Sequence, residues 1–256
     1  MKTILRLTVC WFLLLNSSLV NCQSKMVPIK GGDYIPLYGR EGLKVQVSDF
    51  LMDVYPITNE DFLKYVKEHP NWQRSKVIRL FADESYLRSW KTDTEIGNAQ
   101  LLKSPVTNVS WFAAKNYCEN QGKRLPTIDE WEYVAMSSET LPDARQNEAY
   151  NKYILSWYEK PKSFSNLVGS TFKNYWQVYD LHGLVWEWTS DFNSVLISGE
   201  SRNDVDKNSE LFCGSAAVNA TDLMNYAAFM RYEIRGSLKA RYTMKNLGFR
   251  CVKDIK

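Results

Sequence analysis

The sequence predicts one domain in which short strands and short helices are joined by much irregular chain. Three observations carry this. Leu43, Val45 and Val47 alternate with Lys44, Gln46 and Ser48, the period of a strand with one buried face. Two helix starts carry a side chain suited to cap them, at Thr58 and Thr127. Beyond Pro142 the helical pattern gives way to aromatic runs, turns and isolated apolar alternation, and no repeat, low-complexity tract or linker divides the chain.

At the start, Lys2 and Arg6 precede a mostly apolar stretch from Leu7 to Val20, shorter than a comfortable membrane span. This reads as an export signal over residues 1–22, with the folded domain in 23–256. Two endings fit. Leu19-Val20-Asn21-Cys22 resembles a bacterial lipobox, which would make Cys22 a lipid anchor; ordinary cleavage would instead start the chain at Gln23. Met26 to Gly32 opens the domain and the Leu43–Ser48 strand follows. The Thr58 hydroxyl then caps a helix with Phe62 and Val66 on one face, which Pro70 ends. Residues 71–104 are polar and weakly periodic, and read as a loop insertion. A second helix follows Ser110, gathers Ala113, Ala114, Tyr117 and Cys118 on a face, and stops at Gly122. Thr127 and Glu130 form a capping box for a third, whose buried stripe is Trp131, Val134 and Ala135.

Composition narrows the function classes. The 256 residues hold 32 basic and 29 acidic side chains, and two of the bases are Lys2 and Arg6 in the signal. So small a charge, with no basic run interleaved with aromatics, excludes a nucleic-acid partner. Aromatics make up 14% of the chain and include nine Trp, so either the core or a groove is rich in rings. After the signal only Cys118, Cys213 and Cys251 remain; the odd number leaves a thiol unpaired within one chain, and no CxxC offers a redox pair or zinc ribbon. In Trp186-Glu187-Trp188, strand alternation sends both indoles one way and the carboxylate the other, where it needs a cation, an arginine or backbone donors.

Two segments carry a family likeness: Pro105–Trp111 running through Tyr117-Cys118 to Gly122–Tyr133, and Tyr179–Phe192 around Trp186-Glu187-Trp188. Together with Val168–Tyr179 and Asn246–Cys251 they resemble the formylglycine-generating enzyme (sulfatase-modifying factor) family, in order, over most of Met26 to Lys253. The resemblance implies a compact α+β formylglycine-generating-enzyme/C-type-lectin-like fold with twisted antiparallel sheets. It also implies a calcium site at the Trp-Glu-Trp strand. There Glu187 would supply a carboxylate and Val185 and Thr189 carbonyls, with Leu184 replacing the family's Asn.

The family's chemistry uses two cysteines five residues apart to hold copper(I), which prefers thiolates. Those positions fall at Val218 and Leu223, or at Asp222 and Ala227, and no cysteine lies anywhere from Gly214 to Arg250. Copper is therefore not expected. Nor is the three-histidine iron site of a second branch, because the chain holds only His69 and His182. Cys118 and Cys251 match positions that are disulfide-bonded in vertebrate members; their partners would be Leu101 and Tyr232, which implies that both bridges are lost. Cys213, beside Gly214, reads as a small buried hydrophobe or a lone catalytic thiol. His182 reads as a hydrogen-bonded turn residue or an acid/base group. Arg231 and Arg235 keep the family's four-residue spacing near its peptide groove, where Trp186 and Tyr232 are expected beside them; ion pairs with Asp222 and Glu233 are the competing reading.

The expected function is thus an exported, non-catalytic binding, scaffold or maturation accessory protein at a bacterial envelope, periplasmic or lipid-anchored, with a protein or peptide partner. The alternative is an oxidoreductase working through Cys213, His182 or a bound cofactor.

Overall fold

The computed structural model describes residues 25–38, 42–158, 160, 163–194 and 223–255. The signal segment, Cys22 and Cys213 lie outside these residues. A three-stranded antiparallel sheet joins the two ends of the described chain. β1 (Met26–Ile29) pairs with β4 (Phe50–Asp53), which pairs on its other side with β7 (Val252–Asp254). Met26 stands opposite Asp53, and Phe50 opposite Asp254. β2 (Gly32–Tyr34) and β3 (Val45–Val47) make a separate antiparallel pair, and β5 (Trp186–Glu187) runs parallel to β6 (Leu247–Gly248). The alternation expected from Leu43 begins only at Val45; Leu43 is exposed.

The first three helices form where their caps place them. In α1 (Asn59–Glu68) the Thr58 side chain accepts from the Asp61 amide, and Phe62 and Val66 are fully buried. In α2 (Trp111–Asn120) Ser110 accepts from Ala113, and Gly122 leaves the helix with φ +65°, a conformation glycine adopts without strain. In α3 (Ile128–Ala135) both halves of the capping box are present.

Two expectations are corrected. Helices do not fade after Pro142: α4 (Glu148–Tyr158) and α5 (Leu223–Ser237) follow, and they pack together through Tyr150, Ile154 and Ala227. Tyr150, Tyr153, Ile154 and Trp157 recur at helical spacing, a period masked by their aromatic bulk and by polar residues between them. Residues 71–104, expected as a loop insertion, are irregular but contribute to the core. Ala82, Tyr86, Leu87, Trp90 and Ile96 are buried in the same core as Phe62, Trp188 and Phe249. Their spacing matches no regular element because each is delivered by its own turn.

The cysteines correct a third. Cys118 and Cys251, each expected to have lost its partner, are bonded to one another, with Cα atoms 5.6 Å apart and both residues fully buried. The chain leaving α2 explains the pairing. Arg124 and Val252 exchange two backbone hydrogen bonds, of 2.8 and 2.7 Å, which lays the end of α2 beside β7. A buried ion pair of Lys123 with Asp53, 2.7 Å, fastens the same corner.

Candidate functional site

A knot around Arg250 supports the site from below. Arg250 is fully buried, as is the Glu187 side chain. The guanidinium forks onto the carboxylate, Nε to Oε2 and Nη2 to Oε1, both at 2.8 Å, and also donates to the carbonyls of Asp53 (3.2 Å) and Tyr179 (2.9 Å). The Trp131 indole N–H adds a third donor to Glu187, at 2.8 Å. The strand alternation holds, with Trp186 and Trp188 packed against the core and Glu187 directed elsewhere. Both oxygens of the Glu187 carboxylate, which the resemblance assigns to calcium, accept from the Arg250 guanidinium. Arg250 supplies the positive charge Glu187 needs, and the Thr189 carbonyl accepts the Trp111 indole N–H at 3.0 Å. Among the described residues no three His, Cys, Asp or Glu side chains gather as a metal site.

Beside the knot, α5 reaches α3 through two arginines. Arg231 and Arg235 are one helical turn apart and so share a face. They turn that face to Glu132, a residue sequence reasoning did not nominate. Arg231 donates from Nε (2.8 Å) and Nη2 (2.7 Å), and Arg235 from Nη1 (2.6 Å). Both guanidinium groups also stand over the Trp131 ring, 5.5 and 5.1 Å from its centroid. Among the described residues Glu132, and not Glu233, is thus their ion-pair partner; Asp222 lies outside those residues. Burial alone would raise the Glu132 pKa, but the two guanidinium charges outweigh that and hold it at about 2.

The arginines form a ridge between two cavities. The first, of about 150 Å³, is bordered by Tyr38, Tyr232 and His182; the second, of about 440 Å³, by Trp131, Trp157 and Trp186. Arg231 and Arg235 line both. The expected groove residues are therefore divided, Tyr232 on one side of the ridge and Trp186 on the other. Gly183 keeps the second cavity's wall close: its φ is +95°, and a Cβ there would lie 2.5 Å from the Trp157 ring.

His182 is buried at the floor of the first cavity, its Nε2 2.8 Å from the Ala135 carbonyl. Burial first, and then the charge of Arg231, push its pKa down to about 3. The ring is neutral at pH 7 and donates from Nε2, so its Nδ1 lone pair is buried with no partner among the described residues. This suits a positioned acceptor and not an acid/base group cycling near neutrality. A pH dependence follows. The folded pKa lies below the ordinary 6.5, so the unfolded chain takes up the proton first and the folded state is favoured at higher pH. The contribution is full above about pH 6.5 and falls by about 1.4 kcal/mol per pH unit on acidification toward the folded value. Glu132 adds a second loss of the same sign, from its ordinary 4.5 down toward about 2. Urea melts between pH 7 and 4 are expected to show His182→Gln losing less stability on acidification than wild type, chiefly above pH 4.5 where Glu132 does not yet titrate. Identical slopes would remove His182 as the cause.

The fold and the ridge define a mixed helix-and-sheet domain whose groove is built by helices over a short parallel strand pair. Residues 14–255 match the sulfatase-modifying factor enzyme 1-like domain, and the chain belongs to that family, with its fold. It is 27% identical over 287 residues to a bovine (Bos taurus) protein named inactive C-alpha-formylglycine-generating enzyme 2, covering 94% of this chain and 90% of that one. To the mouse (Mus musculus) formylglycine-generating enzyme it is 26% identical over 289 residues, 90% of this chain and 75% of the other. A Chlamydia caviae protein named serine/threonine-protein kinase pkn1 is 31% identical over 179 residues, 66% of this chain; the chain spans only 28% of that protein's length.

Proposed function

We propose that this protein is a non-catalytic binding or accessory member of its family, exported to a bacterial envelope, whose groove holds a segment of a protein or peptide partner. The observation that carries the reading is the absence of any cysteine from Gly214 to Arg250, the stretch in which the family places its copper-binding pair. A site without two thiolates does not fit copper(I). The groove itself persists, with aromatic walls and buried arginines, the residue types that dominate interface energetics. The Cys118–Cys251 bond suits an oxidising compartment such as the periplasm, as does the N-terminal signal pattern. Among the described residues no helix is long and apolar enough to cross a membrane; on the lipobox reading a lipid on Cys22, outside those residues, would anchor the protein.

The test is incubation of copper-loaded protein with a sulfatase-type cysteine peptide, read by mass spectrometry. The peptide is expected to keep its thiol. Loss of the thiol mass with formation of an aldehyde would restore the enzyme reading.

A further inference from the structure

We propose that the second cavity receives an acidic peptide segment, with a carboxylate seated beside an apolar side chain. This rests on reading the groove as a peptide site and gives that site a chemical preference. At about 440 Å³ the cavity has the size of a small-ligand pocket, for which about 300–1,000 Å³ is usual. Its walls are Trp131, Trp157, Phe164 and Trp186, which suit an apolar side chain.

Its charge is one-sided. Among the described residues Lys160, Lys245, Arg231 and Arg235 line it, and the one acidic side chain lining it, Glu187, is paired with Arg250. Glu132 serves both arginines of the ridge. Lys160 and Lys245 have no ion-pair partner among the described residues; Lys160 rests its ammonium 3.5 Å from the centroid of the Trp157 ring. The two lysines thus present positive charge to the cavity, and low-dielectric aromatic walls strengthen their attraction for an anion.

A carboxylate is acceptor-only and accepts from the lysine ammoniums that line the cavity. A basic or neutral segment would leave the lysines uncompensated.

The experiment is calorimetric titration of the full chain with two capped hexapeptides, one carrying Phe-Glu-Asp and the other Phe-Gln-Asn in the same frame. The acidic peptide is expected to bind at least about tenfold more tightly. Lys245→Gln and Lys160→Gln, both at exposed positions, should each weaken it by about threefold to fivefold while leaving the amide peptide unaffected. Equal binding of the two peptides would overturn the acidic preference and leave the groove reading standing. No binding of the acidic peptide at about 1 mM would overturn the inference and remove this cavity from the groove.

Discussion

Arg250→Met is expected to lower the unfolding free energy by about 3–5 kcal/mol, the usual cost of removing one partner from a buried ion pair. The reason is what remains behind. Glu187 would keep a buried charge with only the Trp131 N–H to stabilise it, and the carbonyls of Asp53 and Tyr179 would each lose a donor. The pair itself need not be worth so much. Two buried charges cost several kcal/mol of hydration, and apolar replacements of similar volume are often neutral. The double variant Arg250→Met/Glu187→Leu should therefore recover much of the single variant's loss. Urea unfolding of the three proteins decides it. An Arg250→Met protein within about 1 kcal/mol of wild type would mean that water reaches Glu187 and the knot is not sealed.

Removing the Cys118–Cys251 bond is the second large effect. The bond closes a loop across 133 residues of sequence. On the chain-entropy account a loop of that length stabilises the folded state by roughly 5 kcal/mol, by restricting the unfolded chain. Residual structure in the unfolded chain lowers that figure, so about 2–5 kcal/mol is expected for Cys118→Ala/Cys251→Ala. Thermal melts with and without reductant supply the comparison: reductant should shift wild type and leave the double variant unmoved. A reductant-insensitive wild type that yields no Cys118–Cys251 linked peptide after digestion would exclude the bond.

The local rules were legible where one side chain decides the structure. Thr58 and the Thr127/Glu130 box set their helix starts without reference to anything distant, and they appear as expected. The family signature was legible too, because its motifs are long and ordered. Pairings across the chain were not. Glu132 lies 99 residues from Arg231, and nothing in a carboxylate's neighbours announces which guanidinium will reach it. Knowledge of relatives misled at the cysteines, because positions bridged elsewhere were matched singly and not to one another. The cavities divided by the arginine ridge were invisible for a similar reason: Trp157 and Lys160 on one segment, and Lys245 on another, become neighbours only in the folded chain.

The Arg250 knot, the 118–251 bond and strand β7 all draw on residues 247–254, which are made after every partner they hold. During synthesis the chain must wait with an unpaired carboxylate in its centre, a free thiol on α2 and one open edge on β4. A nascent chain halted before residue 247 would be a substrate for chaperones and oxidants, not a domain missing its tail. None of the three closures can form until those eight residues have arrived.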